Sequence, residues 1–267
     1  MSQTINPVEP AAPYIGGKRL LAKKIIPIIQ SIPHKSYAEP FVGMGGVFLR
    51  RTEISKAEII NDFSKDIANF FRILQRHYIP FMEMLKFQLT TRADFERLIE
   101  TNPETLTDLE RAARFLYLQR TSFGGKVASR TFGITYDRSA RFDTTKLTSI
   151  LENIHSRLSS VTIECLPYHE FLTKYNQDDF LFYLGPPYYN CENYYGKDMF
   201  DKNDFVRLNA ILAGLKGVFI LSINDDPAIR SIFQQFYIHD VETKYSVSEK
   251  NTVKACELLI SNRPLGI

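Results

Sequence analysis

Cysteine is scarce in this sequence. Its three cysteines, Cys165, Cys191 and Cys256, lie far apart and form no Cys-x-x-Cys pair. That excludes a disulfide framework or a thiolate zinc site as the basis of the fold and suits a reducing compartment. The five histidines (His34, His77, His155, His169, His239) fall without ligand spacing, so no metal is expected. No apolar run approaches the roughly 18 residues that begin to read as a membrane span. The opening residues, MSQTINPVEPAAPYIGGK, lack the charged-then-apolar order of a secretory signal. The expectation is a cytoplasmic protein with no membrane partner. Two catalytic loops are missing as well. GGKR at 16–19 and GGKV at 124–127 have neither the spacing nor the hydroxyl of a phosphate-binding G-x-x-x-x-G-K-[ST]. No G-x-S-x-G nucleophile elbow occurs.

What is present is an alternation of strands and helices around an irregular middle. The 267 residues, 44% hydrophobic and 24% charged, suffice for one large α/β domain or a core with an inserted subdomain. RLLAKKIIPIIQ (19–30) has helical spacing, with Pro27 marking an end or kink. SYAEPFVGMGG reads as a strand running into a glycine-rich turn, VFLRRTEI as a helix, and AEIIND as a second strand with an acid at its tip. Helices follow in SKDIANFFRILQRHYIPFMEMLKFQL, LERAARFLYLQR and TTKLTSILENIHSRL, with TSFGGKVASRTFGITYD between the last two as a β-hairpin or ordered loop. Strand patterns return in SVTIECL, DDFLFYL, KGVFILSIND and KACELLISN, with helices KNDFVRLNAILAG and PAIRSIFQQF among them. This order predicts an α/β fold, a mostly parallel, doubly wound sheet. Residues 1–70 and 160–267 would form the core domain and 71–159 an insertion. In such sheets ligands bind outside the carboxyl ends of the strands.

Charge is unevenly placed. Between Arg111 and Lys146 eight Lys/Arg face two acids, Asp137 and Asp143; the segment nets +6 and the rest of the +3 chain −3. A basic block in a slightly acidic chain points to a surface facing a polyanion, or to a solvated charged face.

Three strand ends form one candidate site. Gly43-Met44-Gly45-Gly46 allows backbone to approach a ligand closely. Asp62 lies 19 residues beyond Gly43 at the end of the next strand, where a dinucleotide fold places a carboxylate on ribose hydroxyls. The full G-x-G-x-x-G is absent because residue 48 is Phe48; a nucleoside cofactor without a pyrophosphate does not need it. The third end is FLFYLGPPYYN (180–190), in which a buried strand stops at two consecutive prolines.

Together these segments resemble the Dam-type adenine-N6 DNA methyltransferases. Pro13-Tyr14-Ile15-Gly16-Gly17-Lys18 is similar to that family's W/Y-x-G-G-K motif, and Glu39-Pro40-Phe41-Val42-Gly43-Met44-Gly45-Gly46 to its E-P-F-x-G-x-G cofactor loop. Asn61-Asp62 matches its ribose acid, and Gly185-Pro186-Pro187-Tyr188 stands where the family has D-P-P-Y. Cys165-Leu166-Pro167-Tyr168-His169-Glu170 resembles a segment that helps hold the cofactor adenine, Arg120-Thr121-Ser122-Phe123-Gly124-Gly125 the start of a DNA-contacting hairpin, and Glu257–Asn262 the last strand. The resemblance implies a Rossmann-like methyltransferase sheet with a mostly helical DNA-recognition insertion carrying a β-hairpin. It implies S-adenosylmethionine as methyl donor, no metal, double-stranded DNA as partner, a monomer or weak dimer, and a bacterial or phage origin. It assigns cofactor contacts to Tyr14, Gly16, Gly17, Lys18, Phe41, Gly43, Gly45, Asp62, Tyr168, Glu170 and Gly185. Catalysis would fall to Gly185, Pro186, Pro187 and Tyr188, with a flipped adenine stacked on Tyr188. DNA contacts would come from Arg120, Ser122, Phe123, Gly124, Lys126, Arg130 and Arg138. The family often has Asn in place of Gly124.

One departure bears on activity. The first residue of D-P-P-Y is an acid or amide in the family, and its oxygen accepts a hydrogen bond from the adenine amino group. Gly185 has no such oxygen, so impaired catalysis is expected. Two other readings stay open at this point: an inactive module that binds cofactor and DNA, and a methyltransferase acting on RNA or protein.

Overall fold

Strands β1 (Gln3–Thr4) and β3 (Glu53–Ile54) pair antiparallel as a small ribbon. The main sheet contains β2 (Ser36–Glu39), β4 (Ala57–Asn61), β5 (Val161–Glu164), β6 (Phe180–Leu184), β7 (Val218–Asn224), β8 (Tyr237–Ser248) and β9 (Asn251–Ser261), in the order β5-β4-β2-β6-β7-β9-β8. The computed structural model describes residues 3–134, 140–191, 200–248 and 251–266. The first five strands of that order are parallel, and β9 runs antiparallel to both neighbours. This is the Rossmann-like, doubly wound arrangement expected from the sequence. The chain builds outward from β2 through β4 to β5, then returns to β2's other edge with β6. The carboxyl ends of β2 and β6 therefore flank the point where strand order reverses, which is where open α/β sheets hold ligands.

The sheet is buried on both faces, and its side chains alternate between two cores. Tyr37, Ile60, Leu181, Tyr183, Ile220 and Leu259 face one; Ala38, Ile59, Phe182, Leu184, Phe219, Leu221 and Leu258 face the other. This period of two explains why β6 reads as a continuous apolar run. Helix α1 (Ala22–Ser31) packs its Ile25, Ile28 and Ile29 into the first core, with Pro27 inside the helix.

Among the described residues, five α-helices separate β4 from β5: α2 (Lys65–Arg76), α3 (Tyr78–Leu85), α4 (Arg92–Glu100), α5 (Asp108–Thr121) and α6 (Thr144–Leu158). Phe70 of α2 meets Phe81 of α3 and Phe115 of α5, with ring centroids 6.2 and 5.7 Å apart. A capping box of Thr107 and Glu110 starts α5; such caps contribute about 0.5–2 kcal/mol. Helices α7 (Tyr168–Lys174), α8 (Lys202–Ala213) and α9 (Pro227–Ile232) pack on the second core.

One local expectation is corrected. VFLRRTEI is not a helix: one 3₁₀ turn (Phe48–Arg50) leads into β3. Arg51 is drawn into the interior, where its guanidinium donates to Glu58 at 2.6 Å and lies 3.7 Å from the centre of the Tyr37 ring. Of the β-hairpin or ordered loop expected after α5, the described residues form an ordered loop closed by one bridge between Ser122 and Phe132, and residues 135–139 lie outside them. No helix among the described residues is long and apolar enough to cross a membrane.

Candidate active site

The carboxyl ends of β2, β4 and β6 and the segment before α1 enclose one cavity of about 580 Å³, a usual size for a small-molecule site. Among the residues singled out from sequence, it is lined by Tyr14, Gly16, Gly17, Lys18, Phe41, Gly43, Asp62, Tyr168, Gly185 and Pro187. Gly45, Glu170, Pro186 and Tyr188 are not in the lining. Glu170 is exposed on α7, and its neighbour His169 lines the cavity instead. Gly45 shapes the turn: its φ is +75°, and a Cβ there would stand 2.7 Å from Leu49 Cγ. Only glycine accepts that geometry without strain.

Asp62 sits where β4 ends. One carboxylate oxygen accepts the Gly43 N–H and the other the Ser64 N–H, both at 2.9 Å. Burial pushes its pKa up from 3.8 to about 6, against the two backbone donors. The neighbouring Asn61 ties three segments together, donating to the Pro40 and Leu166 carbonyls and accepting the Leu166 N–H at 2.8–3.0 Å. Tyr168 forms a wall of the same end. Its ring lies 5.6 Å from that of Phe41, and its hydroxyl donates to Asp204 at 2.8 Å.

Lys18 occupies the opposite wall and is 7% exposed. Its ammonium donates to the Tyr188 hydroxyl at 2.7 Å and to Glu257 at 3.2 Å. The Tyr188 hydroxyl in turn donates to the other Glu257 oxygen. Burial pulls the Lys18 ammonium below the usual lysine range, and Glu257 offsets part of that pull. Glu257, on β9, was not among the expected site residues. Its readable signal is an acid inside the otherwise apolar strand ELLIS. Glu39, at the end of β2, is also in the wall and 1% exposed. It accepts the Tyr37 hydroxyl at 2.6 Å, and burial raises its pKa to about 8, so it is protonated at neutral pH.

Gly185 follows directly after β6 in this wall. A Cβ there would meet Tyr183 Oη at 3.5 Å and Lys18 Cε at 3.8 Å, ordinary contacts, and Gly185 is not a left-handed residue. A larger side chain is therefore sterically admissible. Asp179 lies just before the start of β6, paired with Lys35; Glu192 lies outside the described residues.

The residues expected to touch DNA have divided roles. The Arg120 guanidinium donates to the Arg141 and Ala11 carbonyls at 2.9 and 2.6 Å. Ser122 is fully buried, with its hydroxyl on the Leu118 carbonyl. Both hold the loop in place rather than facing outward. Arg130 is half-buried and donates to Gln119 and to the Lys126 carbonyl, each at 3.2 Å. Phe123, Gly124 and Lys126 are exposed. Arg138 lies outside the described residues. Of the remaining basic block, Arg111 pairs with Asp66 and Glu104, Arg114 caps carbonyls of α4, Arg141 donates to the Ser122 carbonyl and Lys146 pairs with Asp143. The block is thus not a uniform row of outward cations. It does connect α5 and the loop after it to the cavity wall, because Gln119 donates to the Pro13 and Gly125 carbonyls and Ile15 N–H to Gly125.

Comparison with known proteins finds relatives over most of the chain. Over 280 aligned residues, covering 96% of this chain and 95% of the relative, the sequence is 26% identical to the Type II methyltransferase M1.LlaDCHI of Lactococcus lactis subsp. cremoris. It is 22% identical over 240 residues to the Type II methyltransferase M.CviBI of Paramecium bursaria Chlorella virus NC1A, covering 89% and 91% of the two chains. It is 25% identical over 222 residues to the Retron Ec67 DNA adenine methylase of Escherichia coli, covering 78% and 75%. Residues 14–247 match one family, and they span the glycine turn, Asp62, the helical insertion and the Gly185 turn: the chain belongs to the D12 class N6 adenine-specific DNA methyltransferases.

Proposed function

We propose that this chain binds S-adenosylmethionine in the cavity with its ribose hydroxyls on Asp62, and receives adenine, rotated out of duplex DNA, beside Gly185-Pro186-Pro187-Tyr188. The observation that carries the reading is the meeting of the Asp62 end and the Gly185 turn in one cavity at the point where strand order reverses. The residues suit the cofactor. Both Asp62 oxygens retain acceptor capacity beyond their single backbone donor, and Phe41 and Tyr168 offer apolar faces beside it. When bound, the cofactor supplies an electrophilic methyl group; the protein's part is to hold the amino nitrogen in line and exclude water. Residues 71–159 are the DNA-recognition unit in this reading, with Lys126 and Phe123 as its outward groups.

Gly185 attenuates the reaction. Losing one hydrogen bond to a charged group costs about 1.5–3 kcal/mol, and misorientation of the nitrogen adds up to about 100-fold in rate. The test is transfer of tritiated methyl groups to duplex DNA, RNA and protein by this chain and by Gly185→Asp. The expected result is methylation of adenine in duplex DNA, at least about 10-fold faster for the aspartate variant. Equal rates would remove the role assigned to position 185, and preferred labelling of RNA or protein would replace the substrate.

A further inference from the structure

We propose that the space beside Gly185 is a binding site for a small carboxylate, formate being the smallest, which supplies the hydrogen-bond acceptor that this position lacks. The proposal rests on the reading of Gly185 given above and adds a ligand to it.

The first support is steric. From the Gly185 backbone, the nearest atoms to a Cβ are the Tyr183 hydroxyl oxygen at 3.5 Å and, at 3.8 Å each, Lys18 Cε and Tyr183 Cε1. Among the described residues, no atom from elsewhere in the chain stands closer than these, and the cavity reaches the position. The second is polarity. The atoms around the space belong to Lys18 and to Tyr183, whose hydroxyl shares a hydrogen bond of 2.7 Å with Ser222. A carboxylate there has a cation on one side and a hydroxyl on another.

The third support is charge. Among the described residues, Lys18, Tyr183 and Glu39 line the cavity at this space, with Glu257 and Tyr188 hydrogen-bonded to Lys18. Glu257 pairs with Lys18, burial raises the Tyr183 hydroxyl well above its ordinary pKa, and Glu39 keeps its proton at pH 7. The sulfonium of a bound methyl donor adds a positive charge to this wall. A monocarboxylate beside Gly185 offsets it in a site where charges are weakly screened.

The chemistry is favoured by such a group. The amino nitrogen of adenine shares its lone pair with the ring, and an acceptor on one N–H draws that pair towards the methyl carbon. As the N–C bond forms, the methyl–sulfur bond breaks and its electron pair stays on sulfur, leaving a neutral thioether. The nitrogen becomes cationic and gives one proton to the carboxylate, which passes it to water. Atoms and charge balance without an oxidant or a metal.

Two readouts test the site. One is methyl transfer to duplex DNA in sodium formate against sodium chloride of equal ionic strength. The other is the line width of [13C]formate in solution with the full chain, which needs no turnover. This chain should gain about 10-fold or more in rate with saturation in formate, and should broaden the formate line. Gly185→Ala fills the space with a methyl group at tolerated contacts; it should lose both effects. Gly185→Asp should be active without formate and indifferent to it. An active Gly185→Asp, together with no formate gain and equal line widths for this chain and Gly185→Ala, would overturn the proposal. So would an equal response to chloride. An inactive Gly185→Asp would instead remove the reading of Gly185, while the line widths still decide whether the carboxylate site exists.

Discussion

The Lys18 ammonium donates to the Tyr188 hydroxyl at 2.7 Å, joining residues 170 positions apart in the chain. Glu257 receives both partners. The segment before α1, the turn after β6 and strand β9 are thereby locked together at the mouth of the cavity. The turn's position thus depends on an ion pair as well as on the stiffness of Pro186 and Pro187.

Replacing Glu257 by leucine leaves the Lys18 charge buried without its carboxylate. Breaking one partner of a buried pair costs about 3–5 kcal/mol, so urea unfolding of Glu257→Leu should show a loss of that order. Double replacement, Lys18→Met with Glu257→Leu, should recover a large part of it. A single-variant loss below about 0.5 kcal/mol, the range of ordinary surface changes, would mean the pair does not hold the site.

Asp62 makes cofactor binding depend on pH. Its ionised form is the better acceptor for hydroxyl hydrogens, and burial places its pKa at about 6. Affinity for S-adenosylmethionine should therefore rise as pH increases from 5 to 7, and binding below pH 6 should release protons. Stability of the free protein carries the opposite sign: the proton held by folded Asp62 favours the native state below the unfolded pKa, and this contribution is lost as pH rises towards 6. Asp62→Asn should weaken binding by about 10-fold or more and flatten the pH profile in calorimetric titration. A wild-type affinity independent of pH between 5 and 7 would contradict the assignment.

Much of this site was legible because its motifs sit at strand ends, where glycine, proline and acid residues interrupt apolar runs. Gly43, Asp62 and the Gly185 turn could be placed from those interruptions alone. Glu257 was not, because its partners come from elsewhere in the chain, and sequence spacing carries no information about a contact 239 residues long. The roles within the basic block were hidden for a related reason. A count of charges does not distinguish Lys126, which faces solvent, from Arg114 and Arg120, whose guanidiniums satisfy main-chain carbonyls. The helix expected over VFLRRTEI failed because Arg51 is recruited by a buried acid rather than by its own helical neighbours.

Glu39 gives stability its own pH signature. Its pKa rises from 4.5 to about 8 because it is buried between the sheet and the cavity. Between those values the folded chain holds a proton that the unfolded chain has lost, so this contribution to stability is greatest below pH 4.5 and declines up to pH 8. Glu39→Gln mimics the protonated side chain. It should leave stability at low pH nearly unchanged and reduce the decline between pH 5 and 8 in denaturant midpoints. An unchanged decline would place the titrating group elsewhere.

Lys126 and Arg120 separate DNA attraction from loop construction. Lys126 is exposed at the tip of the loop, whereas Arg120 spends its donors on the Arg141 and Ala11 carbonyls. Lys126→Ala should weaken duplex binding uniformly across sequences and lower the slope of log affinity against log salt by about 1, with thermal stability unchanged. Arg120→Ala strips two carbonyls of a charged donor and should destabilise the protein by about 1–3 kcal/mol. Its effect on DNA should be no steeper in salt than that of the parent chain. If Arg120→Ala instead lowers the salt slope with stability intact, the arginine reaches phosphate in the complex, and the loop must rearrange on binding to free it.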